Sequence, residues 1–368
     1  MSKVTYLLGA GASYGSRGVL PLDKQPNISS DDFPPERGII RGLPILQEFS
    51  NALNQLLGEL TSITDFNAER KYILSEALNN ILNVSIEYPT IDTYAKMLYA
   101  TKRIKEYVKF KDQLSLFFLI WQKSHKHDLR YDSFIASLID AETCTFPPLT
   151  ILSWNYDMQF EMSYSKYILD ERALWKIWDQ LNVYCKSNGT LSYKSDNPFA
   201  FIKLNGSAMF HATQQDSYSL RYTLQDVLWR SYNVASGDDE KGFWNDVYEI
   251  YDNGQHKNLI TIPKYANELS YAWDKFGKEE LLQNISKRLA DCEVLIVIGY
   301  SFPYVNREID RHIIKSMPNL KNIHIQDKNP DSIAERVKSI YEYINHPMPA
   351  ISKHEKDLDT FYIPNELG

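Results

Sequence analysis

The hydrophobic positions of this chain fall into two regimes. Short, unbroken apolar runs occur at Val4-Thr5-Tyr6-Leu7-Leu8, Leu149-Thr150-Ile151-Leu152-Ser153, 199–204, Leu259-Ile260-Thr261-Ile262, Val294-Leu295-Ile296-Val297-Ile298 and Ile323-His324-Ile325. β-Branched and aromatic residues are frequent in them, and each stops at a glycine, proline, asparagine, aspartate or serine turn, the pattern of strands buried on both faces. The second regime is helical. After Gly42-Leu43-Pro44, apolar residues recur at three- and four-residue spacings through Ile45, Leu46, Phe49, Leu53, Leu56 and Leu57. The period continues over 72–82, 93–110 and 114–121 to about Leu138, interrupted at Tyr88-Pro89-Thr90, and helices are also expected at 160–168 and 306–316.

Apolar strands alternating with helices predict an α/β fold: a Rossmann-like parallel sheet with helices on both faces and a large helical insertion. The sheet core is expected at about 1–15, 145–165, 198–212, 258–263 and 290–335, and the insertion at about 43–140, all within one domain of residues 1–345. Residues 15–41 carry Pro21, Pro26, Pro34 and Pro35 among polar residues. They read as an irregular connection beside the first turn that could act as a lid. The polar tail, 346–368, is expected to be loosely held.

With 43% hydrophobic residues in 368, a sizeable core is available. The formal charge of −7, from 40 basic and 47 acidic residues, argues against a surface that coats nucleic acid. Lys102, Arg103, Lys105, Lys109 and Lys111 cluster, but Glu106 and Asp112 interrupt them, as on a solvated helix face. Cys144, Cys185 and Cys292 are isolated, so neither a disulfide framework nor a cysteine-rich zinc site is predicted, and a reducing compartment fits. No export signal or apolar run of membrane-spanning length is visible, so the expected location is cytoplasmic, away from membranes. His125 and His127 are flanked by lysines that would repel a cation, and no metal is expected.

Candidate chemistry collects where the strands end. Gly9-Ala10-Gly11-Ala12-Ser13 follows the first strand as a glycine turn of the kind that presents backbone N–H groups to a phosphate. It is half of a dinucleotide fingerprint, since Tyr14 stands where the third glycine would be. The other strand ends add Asn155, Asp157, Asn205, Gly206, Gly299 and Ser301, with Ser207 and His211 close behind. In a parallel sheet all of these belong to one edge, where ligands bind.

The ordered set Gly-Ala-Gly-Ala-Ser (9–13), Gly-Leu-Pro (42–44), Trp-Asn-Tyr-Asp followed by Glu161 (154–161), Lys-Leu-Asn-Gly-Ser (203–207) and Ile-Gly-Tyr-Ser-Phe (298–302) resembles the Sir2-like NAD-consuming domains of bacterial anti-phage defence proteins. The resemblance implies a Rossmann-like domain that binds NAD⁺ as substrate and breaks its nicotinamide–ribose bond, giving nicotinamide and ADP-ribose and depleting NAD⁺ in abortive infection. It assigns Gly9, Ala10, Gly11 and Ser13 to the pyrophosphate. Asn155 would hold the nicotinamide-side ribose or the attacking water, with Asp157 beside it, while Gly299 and Ser301 would contact the adenosine half. Asn205, Gly206 and Ser207 complete the cofactor-binding set. Members of the family assemble as homo-oligomers or with a separate activating partner, and both arrangements remain open here.

At position 205 the sequence departs from the family, whose general base is a histidine in a Leu-His-Gly-Ser block. An asparagine amide does not accept a proton near neutral pH. Three alternatives stand: His211 replaces the base, the oxocarbenium path needs no strong base, or the site binds without turnover. The last describes a non-catalytic sensor or a structural subunit of a defence complex. An NAD-dependent protein deacylase is disfavoured, because that branch carries a four-cysteine zinc module and this chain has three scattered cysteines.

Overall fold

In a computed structural model the described residues are 3–15, 42–44, 48–125, 127–167, 174–186, 193–212, 237–254, 265–275 and 277–367. Their strands are β1 (Val4–Leu8), β2 (Leu149–Ser153), β3 (Val183–Cys185), β4 (Phe199–Lys203), β5 (Gly206–Ala212), β6 (Tyr265–Leu269), β7 (Val294–Ile298), β8 (Asn322–Gln326) and β9 (Ala350–His354). Seven of them form one sheet in the order β3-β4-β2-β1-β7-β8-β9, and every pairing in it is parallel. The chain starts in the middle, at β1, and builds outward to β2 on one side and β7 on the other. The crevice between the ends of β1 and β7 is therefore the topological switch point.

Helices cover both faces of this Rossmann-like α/β sheet, as the residue pattern requires. Val4, Tyr6 and Leu8 of β1 point into one core, with Ile151 and Ile296, while Leu7, Leu152, Leu295 and Val297 point into the other. Each such side chain contributes roughly 1.5–3 kcal/mol when fully buried. The first core is closed by the insertion between β1 and β2: α1 (Phe49–Ser62), α2 (Ala68–Glu87), α3 (Ile91–Ala100), α4 (Ile104–Ser124) and α5 (Leu129–Leu138). Helix α4 is its centre, since the run from Leu114 to Trp121 is buried throughout. The 93–110 period is two helices, split by a turn in which Lys102 adopts φ +60°. Short α6 (Gln159–Tyr164) and α7 (Leu174–Gln180) follow β2, and α8 (Gly237–Gly254) packs on α4 and β6. The second core is closed by α9 (Lys278–Leu289), α10 (Arg307–Lys315) and α11 (Pro330–Ile344).

Residues 16–41 and the run at 259–262 lie outside the described residues. The neighbouring strand β6 pairs antiparallel with β5 in a separate two-stranded ribbon.

The C-terminal segment corrects the expectation of a loosely held tail. Strand β9 extends the sheet beside β8, and the following strap is gripped by Gln326, whose amide donates to the carbonyls of Asp357 (2.5 Å) and Thr360 (2.6 Å). Phe361 is buried against Tyr131 and Phe134, at ring distances of 5.1 and 5.5 Å. Arg130 ties the strap to the first turn, donating to Leu358 O (3.2 Å) and Gly11 O (2.8 Å). The tail reads as polar because its anchors are backbone carbonyls and one aromatic side chain, which leave no period.

At this edge His324 Nδ1 and His354 Nε2 are 3.1 Å apart, and Tyr362 stacks on both rings, at 4.6 and 4.1 Å. Burial holds both imidazoles below the usual histidine range, helped at His324 by the charge of its partner and opposed by Glu366 there and by Asp357 at His354. Depressed histidines must charge on unfolding at low pH, so stability falls as pH drops through about 6.5. His354→Gln is expected to flatten the fall in melting temperature below that pH, and an unchanged slope would show that the pair is not its source.

Candidate functional site

The exits of β1, β2, β4 and β7 surround a cavity of ≈ 250 Å³, near the lower end of small-ligand pockets. Ala10 and Ser13 come from the first exit, Trp154 to Asp157 from the second, Asn205 from the third, and Gly299 to Ser301 from the fourth. The insertion closes the other side with Leu43, Pro44, Phe49, Phe118 and the start of α3.

The glycines of the first turn have a packing role. Gly9 N–H donates to Ile298 O and Gly11 N–H to Gly299 O, each at 3.0 Å, so both donors are spent within the protein. A Cβ on Gly9 would lie 2.5 Å from Gly299 O, and one on Gly11 would lie 2.7 Å from Gly299 Cα. Gly299, at φ +59°, meets Gly11 in return. Glycine is required here so that the turns after β1 and β7 touch across the switch point. Neither Gly9 nor Gly11 lines the cavity, whereas exposed Ala10 and buried Ser13 do. Gly42 and Leu43 close on the same turn, with Leu43 N–H donating to Ser13 O at 2.7 Å.

Asn155 locks this turn to the β2 exit. Its Nδ2 donates to Gly9 O and to Ser13 Oγ, both at 2.9 Å, and Ser13 Oγ lies 2.9 Å from the Tyr131 hydroxyl. A carbonyl oxygen accepts only, which fixes the orientation of the amide. Both amide hydrogens are committed, so only the Asn155 carbonyl oxygen is left to offer as a partner.

Two residues further on, Asp157 Oδ1 accepts the Gln159 N–H (3.0 Å), while Oδ2 is buried without a hydrogen-bond partner. Burial pushes this carboxyl above its usual range, against the pull of the Lys203 charge. Lys203, at the end of β4 and fully buried, donates to Asp157 O (2.5 Å) and pairs with fully buried Glu161 (2.7 Å). Between Asn155 and Asp157, the Tyr156 hydroxyl donates to Asp92 Oδ1 at 2.6 Å. Asp92 sits in the first turn of α3, a helix started by Thr90, whose side chain caps Thr93 N–H at 3.0 Å. Burial pushes its carboxyl upward also. Nothing in the residue pattern singles it out, because an acidic residue in a first helical turn ordinarily answers the helix dipole.

Asn205 is a clamp. Its Nδ2 donates to Trp154 O (3.3 Å) and its Oδ1 accepts Ala272 N–H (2.9 Å), joining the β2 exit to the segment after β6. Gly206 and Ser207 lie behind the cavity as the first residues of β5. Gly206 is at φ +70°, where a Cβ would lie 2.2 Å from Glu268 O, and the Ser207 hydroxyl donates to Tyr156 O at 3.4 Å. His211 is in β5 opposite Ala266, and its side chain lies outside the described residues. Ser301 is exposed at the rim. Trp154 and Tyr300 stack along the wall, 5.5 Å apart at 13°.

Among the described residues the cavity lining holds aromatic rings, Asn155, Asn205, Asn306, Asp92 and Asp157, and no Lys, Arg or His. His127, weighed as a metal ligand, instead meets Asp132 at 3.0 Å and Lys166 at 3.1 Å. The chain matches no family model and no curated protein.

Proposed function

We propose that this chain binds NAD⁺ at the switch point and cleaves its nicotinamide–ribose bond, releasing nicotinamide and ADP-ribose. The carrying observation is the acceptor-rich lining of the cavity, which among the described residues holds no Lys, Arg or His: Asn155 with only its carbonyl oxygen to offer, Asp157 with a bare buried oxygen, and Asp92. Departure of nicotinamide turns a pyridinium into a neutral ring and leaves an oxocarbenium-like ribose. Preorganised oxygens near C1′ stabilise that cation in a site partly shielded from water. The ordered strand-end motifs support the same reading. Through them the resemblance extends it to NAD⁺ depletion in phage defence, by a homo-oligomer or beside a separate activating partner.

Mass spectrometry of NAD⁺ incubated with the full-length chain, alone and with the product of its genomic neighbour, is expected to show nicotinamide and ADP-ribose. A cyclic product would mean attack by a ribose hydroxyl in place of water. NAD⁺ left intact under both conditions overturns the reading. Asn205, held at both ends of its amide where the family has its base, favours a second reading, a non-catalytic NAD⁺ or ADP-ribose sensor. Calorimetric binding of either ligand without nicotinamide release would select it.

A further inference from the structure

Resting on the hydrolase reading, the geometry points to Asp92 as the general base that takes a proton from the attacking water, in place of the histidine absent at position 205. The assignment comes from placement. Asp92 lines the cavity that Asn155 and Asp157 line, and its Oδ1 is fixed by the hydroxyl of Tyr156, the residue between those two. Its second oxygen is then left for water. Asp157 also keeps one oxygen, but Lys203 stands behind its loop and draws its carboxyl downward, which makes it the weaker proton acceptor, whereas no Lys or Arg among the described residues pairs with Asp92. Asn205 has no free basic atom and is tied to Trp154 and Ala272.

In the step, the water oxygen bonds to C1′ as the C1′–N1 bond breaks. The bonding pair passes to the pyridinium ring, which leaves as neutral nicotinamide, and the water proton moves to the Asp92 carboxylate and on to solvent. The balance is NAD⁺ and water giving nicotinamide, ADP-ribose and a proton.

Ionisable groups face Asp92 from three other elements: Tyr156 after β2, Tyr271 after β6 and Tyr300 after β7. Among the described residues no Lys or Arg forms an ion pair with it, and Lys96, one turn along α3, donates to Val305 O at 3.4 Å. Burial therefore lifts the carboxyl with only the Tyr156 hydroxyl bond holding it down. Removing that bond must raise its pKa further.

The test uses the full-length chain with Asp92→Asn, which preserves an acceptor for Tyr156. Nicotinamide release is expected to fall about 100-fold or more, the usual contribution of a general base, with NAD⁺ affinity by calorimetry unchanged within about threefold. Sodium azide needs no deprotonation, so it should restore nicotinamide release and give azido-ADP-ribose in the variant. In Tyr156→Phe the acid limb of the kcat/KM profile should move to higher pH. Azide rescue in His211→Ala but not in Asp92→Asn overturns the assignment in favour of His211. Undiminished hydrolysis by Asp92→Asn, or loss of activity without azide rescue, also overturns it. A parent chain that releases no nicotinamide overturns the hydrolase reading itself.

Discussion

Asn155→Ala is expected to lower nicotinamide release by at least about 100-fold, the scale seen when one preorganised electrostatic group is removed from an active site. Two losses combine. The cavity loses an oriented carbonyl oxygen, and the Gly9–Ser13 turn loses the amide that donates to Gly9 O and Ser13 Oγ. Asn155→Asp separates them. A carboxylate keeps an acceptor but sets an oxygen against Gly9 O where a donor stood, so the turn is pushed away and activity is expected to stay low. If Asn155→Asp kept parent activity, positioning of the turn would be irrelevant. If Asn155→Ala did so, the residue would have no part in turnover. Nicotinamide release measured beside chemical unfolding distinguishes loss of the site from loss of the fold.

The resident chemistry differs in legibility from the frame that holds it. β1, β2 and β7 stand in the sequence as uninterrupted apolar runs because both faces of a central parallel strand are buried. Each occupies the expected residues. β3 is three residues long and β9 is a mostly exposed edge, so neither leaves a period to read. Glycines 9 and 11 carry the spacing of a phosphate turn, yet what demands them is contact with Gly299, from the far end of the chain. Sequence spacing sees local geometry and misses that meeting of two turns.

The same limit explains Asp92 and Asn205. Strand ends announce themselves by position, so Asn155 and Asp157 were identifiable, whereas Asp92 enters the cavity from the helical insertion. Only packing reveals it, through the hydroxyl of Tyr156. Asn205 occupies a strand end and still works as a bracket, because the segment it holds, around Ala272, is remote in sequence. The cavity thus combines a floor written into the strand ends with a wall contributed by the insertion.

Beneath that floor, Lys203→Met is expected to destabilise the protein by about 3–5 kcal/mol, the cost of stranding one member of a buried ion pair. Lys203 and Glu161 are both fully buried and 2.7 Å apart, and Glu161 already has one oxygen without a partner. Methionine fills a similar volume, so the loss is of charge and of the bond to Asp157 O, with little change in packing. Lys203→Met with Glu161→Leu removes both charges and should recover most of the stability, since a buried pair exchanged for apolar groups is often neutral or favourable. Urea unfolding of parent, single and double variants supplies the coupling energy. A single variant within about 1 kcal/mol of the parent would mean the pair carries no more than an exposed one. The site should also respond. Lys203 pulls the Asp157 carboxyl downward, so without it that carboxyl rises further and stays protonated to higher pH. Glu161 pushes the same carboxyl upward, so an alkaline shift of activity in Lys203→Met that shrinks when Glu161→Leu is added would identify Lys203 as the group that draws the Asp157 carboxyl downward.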